Sequence, residues 1–170
     1  MFSETMIGAG KVNDHEARIA RGVAGLAESA RLAIEVVSGE GKPYRSGQKL
    51  WAVGKGTRWS EGFYLLNGFT TVMPPGGPSA ALPDDPETGV ISASSYHSDG
   101  VHVAMSDGAI RFVSRFIDTG DLGAPCFEPA PSNSRNVQSP YGVWGAMGTR
   151  AGREVIPSER EAKYKVLRGF

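Results

Sequence analysis

Val101-His102-Val103-Ala104-Met105-Ser106-Asp107-Gly108-Ala109-Ile110-Arg111-Phe112-Val113 decides the fold. Two alternating runs flank Asp107-Gly108. Asp-Gly between such runs favours a two-residue type I′ turn, because both central positions need positive φ. The stretch therefore predicts a β-hairpin over 101–113. Counting outward from the turn pairs Met105 with Ile110 and Val103 with Phe112 on the core face, and leaves His102, Ala104 and Arg111 on the other.

Upstream of the hairpin, residues 1–12 read as a short strand closed by Gly8 and Gly10. From Asn13 the period changes: Ile19, Val23, Leu26, Ala30, Ile34 and Val37 recur at steps of three or four, the spacing of one helix face. Asn13 or Asp14 can cap its start, and Gly39 with Gly41 marks its stop. Gly22 and Gly25 each cost about 1 kcal/mol relative to Ala inside a helix, so a break is expected there and a firmer helix over about 28–37.

Leu50 to Val53 is a brief apolar run between glycine-rich segments. Phe63 to Leu66 and Phe69 to Met73, rich in aromatic and β-branched residues, halt at Pro74-Pro75-Gly76-Gly77-Pro78. PSAALPDDPETG and GDLGAPCFEPAPSNSRNVQSP read as surface loops. Gly142 to Gly152 sets glycines beside aromatics, and PSEREAKYKVLRGF is charged with a helix-compatible composition. The chain as a whole predicts an α+β class: an antiparallel β-sheet, at least one packed helix, and long Gly/Pro-rich loops. One domain is expected over 1–156, with a charged tail over 157–170.

Composition bounds the function. At 170 residues, 40% hydrophobic, with three Trp and seven Phe, the chain is too apolar to be disordered. Gly and Pro number 23 and 11, a fifth of the chain. The average is roughly 12%, and the excess demands turns. Lys plus Arg equals Asp plus Glu at 18 each, without a run of five like charges. That balance offers no basic face to nucleic acid or anionic lipid. The single Cys126 excludes an internal disulfide and a thiolate metal cage. No secretory pattern and no stretch of 18 apolar residues occurs. Read alone, the chain carries no address and points to the cytoplasm.

Candidate chemistry centres on YHSDGVH, where His97 and His102 stand five apart with Asp99 between them. A metal reading brings both imidazoles and the Asp99 carboxylate together across the Ser98-Asp99-Gly100 turn. In the alternative, His97 hydrogen-bonds the turn backbone while His102 sits on the outer face of the hairpin. Zinc hydrolases place paired histidines on one helix face or at fixed strand offsets, and this spacing is neither, so the alternative ranks higher.

Ser92, Ser94, Ser95 and Ser98 surround His97 without a Gly-x-Ser-x-Gly elbow. Cys126 has no base nearby in sequence. Asp84, Asp85 and Glu87 could hold Ca²⁺ within their loop, but their spacing does not fit an EF-hand, and a solvated acidic loop is the stronger reading. Trp51 and Trp59, eight apart, are loop anchors first and ligand-contacting residues second.

Ser94 to Ile117 contains His97, nine residues, then Asp107-Gly108. This resembles the H-X9-DG signature of the prepilin-type, pseudopilin-like DUF1559 family of planctomycetes and related bacteria. The same order continues in MFSETMIG, in GTRWSEGF followed by FTTVMPPGGPS, and in VWGAMGTRAGREVI, so that the resemblance spans about residues 1–156.

The resemblance implies a globular head displayed outside the cytoplasmic membrane, periplasmic or at the cell surface, on an N-terminal hydrophobic helix with a prepilin cleavage site. Met1 aligns inside the head, so the anchor helix is expected to be absent from this chain. Relatives often carry cysteines near positions 33 and 80, where this chain has Ala33 and Ala80. The family motif residues are His97, Asp107 and Gly108. Asp107 follows His97 by ten positions, roughly 33 Å if fully extended, so a direct contact requires a bend at Ser98-Asp99-Gly100.

The expected function is structural and non-enzymatic: a subunit of an envelope or surface assembly, with protein partners or self-assembly, no nucleic acid, no cofactor, and membrane contact only through the anchor helix. An extracellular module binding saccharide or Ca²⁺ through Trp51, Trp59 and the acidic loop is the alternative. A metal-dependent hydrolase on His97, Asp99 and His102 ranks last.

Overall fold

Gly108 takes φ +82°, the left-handed conformation that the Asp107-Gly108 turn needs. The turn, however, is three residues wide. Gly108 N–H donates to the Met105 carbonyl at 3.0 Å and Met105 N–H to the Ala109 carbonyl at 2.8 Å, enclosing Ser106, Asp107 and Gly108. This is the type I turn closed by a left-handed glycine bulge.

The wider loop moves the register by one. Ala104 pairs with Ile110, Val103 with Arg111, His102 with Phe112 and Val101 with Val113. Ile110 and Phe112, expected in the core, therefore share the outer face with His102 and Ala104, and Ile110 is 73% exposed. Arg111 crosses to the inner face, opposite Val103.

The structure, a computed structural model, describes residues 1–8, 15–38, 43–85, 87–127 and 138–149. Its elements run β1 (Phe2–Ser3), β2 (Ile19–Ala20), α1 (Leu32–Glu35), α2 (Tyr64–Asn67), β3 (Ser79–Ala81), β4 (Gly89–Val90), β5 (Gly100–Ala104), β6 (Ile110–Ser114) and α3 (Gly142–Gly148). The class is α+β, as expected. The tail over 157–170 lies outside the described residues. No helix among the described residues is long and apolar enough to cross a membrane.

β1, β5 and β6 form one antiparallel sheet in that order, with Phe2 opposite Ala104 and Ser3 opposite Val103. The inner face of this sheet, Val101, Val103 and Val113, packs on Val143 and Trp144 of α3. Trp144 is fully buried. Its ring stacks on Phe69 at 6.1 Å between centroids, and its Nε1–H donates to the Met73 carbonyl at 2.8 Å. Burial of one large aromatic with its polar atom satisfied outweighs the low helix propensity of the glycines around it.

The second sheet, β2-β3-β4, is mixed: β2 and β3 run parallel, β3 and β4 antiparallel. Both its faces are covered. Ala20, Ala80 and Val90 look toward Leu26, Ala30, Ala33 and Val37 around α1, whereas Ile19, Ala81 and Ile91 look toward Leu65 and Leu66 of α2. Residues 49–51 lie alongside: Arg21 N–H donates to the Lys49 carbonyl at 2.7 Å and Trp51 N–H to the Ile19 carbonyl at 3.0 Å.

β3 overturns the reading of PSAAL as surface loop. Ala80 and Ala81 are wholly buried, and a short strand covered on both faces has no polar face to produce an alternating pattern.

The long helical period is also corrected. Gly22 and Gly25 adopt φ +75° and +74°, giving the expected break. Ile19, however, belongs to β2, and the helix shrinks to the single turn α1. Its flank is built from tight bonds such as Ala33 N–H to the Ala30 carbonyl at 3.0 Å and Ile34 N–H to the Arg31 carbonyl at 2.9 Å. This narrower winding turns Ile34 outward, 41% exposed. Of Phe63–Leu66, whose composition favours strand, Tyr64, Leu65 and Leu66 join Asn67 in the helical turn α2 instead, with Phe63 at its N-cap.

Two polar features lock the N-terminal segment. Lys55, only 1% exposed, donates from Nζ to the Ser92 carbonyl at 3.0 Å and to Ser94 Oγ at 2.9 Å. Ser94 Oγ also accepts Met6 N–H at 3.0 Å. Beside them the Gly8 and Gly54 backbones touch: a Cβ on Gly54 would lie 2.3 Å from the Gly8 carbonyl oxygen.

Candidate functional site

His97 precedes β5 in a turn whose backbone is held from two sides. Its N–H donates to Ser95 Oγ at 2.8 Å, and Ser95 Oγ donates to the Gly100 carbonyl at 3.2 Å. Arg115 N–H meets the Asp99 carbonyl at 2.8 Å, and Arg115 Nη1 donates to the Ser98 carbonyl at 3.3 Å. The chain bends at Ser98-Asp99-Gly100, and the His97 ring sits beside His102 on the outer face, 4.9 Å between centroids. Phe112 flanks both rings, 6.3 Å from His97 and 5.2 Å from His102. Asp107 and Gly108 stand at the opposite end of the hairpin, where Asp107 Oδ1 accepts Ala109 N–H at 2.9 Å.

The third member of the cluster is Glu4, just past β1. Its Oε1 lies 3.5 Å from His97 Nε2 and 3.3 Å from His102 Nδ1. Its Oε2 accepts the His102 backbone N–H at 2.9 Å. Burial pushes the Glu4 carboxyl up, but hydrogen bonds from the His102 backbone and ring, the nearby His102 charge and the Ser95 hydroxyl outweigh it and hold the group below its ordinary value. Among the described residues, Glu4, His97 and His102 form a convergent set of metal-capable side chains, one ligand atom from each, all within 4.8 Å of one another.

The metal reading of the sequence pairs the two histidines with Asp99 and the higher-ranked one sets the His97 ring on the turn backbone, whereas in the structure both rings face Glu4. Asp99 instead takes the Ser98 hydroxyl at 3.2 Å on Oδ2. His102 sits on the outer face as expected.

The remaining candidates are dispersed. Trp51 is half-buried, edge-on to Phe63 at 5.9 Å, with the Arg21 guanidinium 5.7 Å from its ring. Trp59 is 85% exposed. Asp84, Asp85 and Glu87 are exposed, and Asp85 directs its oxygens at its own turn, accepting Glu87 N–H at 3.1 Å and the Thr88 hydroxyl at 2.5 Å. Ser92, Ser94 and Ser95 are buried framework residues. The Cys126 thiol lies 3.3 Å from the Leu26 carbonyl. Burial pushes it up, the Tyr141 hydroxyl pulls it down and the Glu28 charge raises it again; the net effect is upward, toward the inert thiol. A separate groove of about 340 Å³ runs between Ile34, Val37 and the Pro74–Pro78 turn.

Two small sheets, short helical turns, and a partly exposed cluster of two histidines and a carboxylate at the open end of a hairpin define an α+β fold organised by that hairpin. The chain belongs to the DUF1559 family, described as a protein of unknown function, whose family model matches residues 4–120. Glu4, His97, His102 and the Asp107-Gly108 turn all fall within that stretch. No curated protein and no solved structure gives a match.

Proposed function

We propose that this chain is a non-enzymatic structural subunit, the pseudopilin-like head of an envelope or surface assembly standing in the periplasm or at the cell surface. The observation that carries this reading is the open outer face of the β1-β5-β6 sheet. Phe2, Ala104 and Ile110 form one row across all three strands, with Phe2 81% and Ile110 73% exposed. Phe112 adds a second apolar position in the next row, 42% exposed. Burying Phe2 or Ile110 fully against a neighbouring subunit contributes up to about 1.5–3 kcal/mol, and the half-buried Phe112 less. Exposed apolar groups gathered on one face mark an interaction surface.

The resemblance of the His97 to Asp107-Gly108 spacing to the H-X9-DG signature supports the pilin-like assignment. The buried, hydrogen-bonded serines and the raised Cys126 thiol favour framework roles over nucleophilic ones.

Sedimentation velocity and negative-stain electron microscopy over a concentration series test the proposal. The expected result is concentration-dependent oligomers or filaments that Ile110→Asp returns to monomer without lowering Tm. A wild-type chain that stays monomeric throughout, or oligomers indifferent to both Phe2→Asp and Ile110→Asp, would overturn it.

A further inference from the structure

We infer that Glu4, His97 and His102 form a binding site for a first-row divalent transition metal, Zn²⁺ foremost, that staples the N-terminal edge strand to the hairpin.

The three ligand atoms stand close enough to share one ion, all within 4.8 Å of one another. Glu4 Oε1 is 3.5 Å from one imidazole nitrogen and 3.3 Å from the other. A charge-assisted N–H···O bond closes to about 2.7–2.9 Å, so the His102 ring bond to Glu4 at 3.3 Å is a long one, and the His97 nitrogen stands farther still. Two ligands bound at about 2.0–2.1 Å to one Zn²⁺ stand about 3.3 Å apart at the tetrahedral angle, and both Glu4 separations lie near that value.

The donors choose the metal class. Two imidazole nitrogens with one carboxylate suit Zn²⁺ and its transition-metal neighbours, whereas Ca²⁺ and Mg²⁺ take oxygen ligands. Three protein ligands leave a fourth position to water.

The ligands are also held in place before any ion arrives. Oε2 of Glu4 is fixed by the His102 N–H at 2.9 Å, and the His97 backbone by Ser95 Oγ at 2.8 Å. Hydrogen-bonded outer partners of this kind orient metal ligands. Phe112 walls one side of the pair, and the three side chains are 37–54% exposed, leaving the site open to solvent.

The consequence is mechanical. β1 is two residues long and, among the described residues, pairs only with β5, so its own hydrogen bonds hold it weakly. An ion shared by Glu4, His97 and His102 joins a segment at the N-terminus to one 98 positions later. It stabilises the folded form by mass action, since the unfolded chain has no assembled site.

The test uses the whole chain, stripped with chelator and titrated with ZnCl₂ by calorimetry. The expected result is one saturable site per chain, a higher Tm with Zn²⁺ than without, slower hydrogen exchange at the Glu4 and His102 amides in the Zn²⁺ form, and no comparable response to CaCl₂. His97→Ala should weaken binding at least tenfold, as should Glu4→Gln. His97 lies in an exposed turn, so its variant keeps the fold even where His102→Ala does not, and circular dichroism of the apo form checks this. Bound Co²⁺ should give the visible bands of a low-coordinate nitrogen and oxygen site, and His97→Ala should bleach them. No saturable Zn²⁺ binding by the folded wild type, or binding unchanged in the His97→Ala and Glu4→Gln variants, would overturn the proposal.

Discussion

Glu4 grips His102 through both of its carboxylate oxygens across 98 positions of sequence: Oε2 takes the backbone N–H at 2.9 Å while Oε1 faces the ring Nδ1 at 3.3 Å. One side chain thus ties a two-residue edge strand to the hairpin that organises its sheet, and brings the His97 ring into the same cluster.

The first prediction concerns acid. Glu4 has its carboxyl held below the ordinary value in the folded chain, against the push of burial, by the His102 backbone and ring and by Ser95. A depressed folded pKa adds stability above the unfolded pKa, and that stability is lost as pH falls through the folded pKa. Urea unfolding at a series of pH values from neutral into the acid range should show wild type losing stability on acidification more steeply than Glu4→Gln. Superimposable acid limbs would remove Glu4 from the account of stability.

Gly108 supplies the second. Its φ of +82° lies where a β-branched residue is strained, while nothing stands within 4 Å of a Cβ built there. The cost of substitution is therefore purely conformational. Gly108→Val should destabilise by about 1–3 kcal/mol, and Gly108→Asn by less, because Asn tolerates the left-handed region. Denaturant midpoints of the two variants should fall in that order, and equal midpoints would contradict the turn geometry.

The hairpin shows what the sequence could and could not reveal. Asp107-Gly108 between alternating runs located the turn and the need for positive φ. Loop width depended on one further bond, Gly108 N–H to the Met105 carbonyl, which composition does not encode. That single residue of width moved Phe112 from the expected core to the side of His97 and His102. Residues 79–81 were hidden for another reason: a strand of Ser and Ala buried on both faces has neither bulk nor alternation to show. The two histidines were visible by their spacing, but Glu4 was not. An edge-strand pairing across 98 positions is decided by the packed sheet and leaves no local pattern.

Close backbone approach gives the third prediction. A Cβ on Gly54 would lie 2.3 Å from the Gly8 carbonyl oxygen and 2.5 Å from the Gly8 Cα, both backbone atoms that no rotamer change can move. Gly54→Ala should cost about 1–3 kcal/mol or more as the segments are forced apart. Gly62, with nothing within 4 Å, is the control, and Gly62→Ala should leave Tm nearly unchanged. A Gly54→Ala variant as stable as the control would mean that the two segments do not touch.

Lys55 gives the last. Its ammonium is held away from water at 1% exposure, where an unbonded charge is costly, and it donates to the Ser92 carbonyl and Ser94 Oγ. Lys55→Ala removes these donors and opens space in the core, so stability should fall by about 2–4 kcal/mol. Lys55→Met keeps most of the volume and discards only the charge and its donors, which separates packing from hydrogen bonding. Urea unfolding should place Lys55→Met between Lys55→Ala and wild type. Were Lys55→Met instead to melt above wild type, desolvation of the ammonium would exceed what its polar contacts together return, and the buried lysine would fix the arrangement of the Met6, Ser92 and Ser94 segments at the expense of stability.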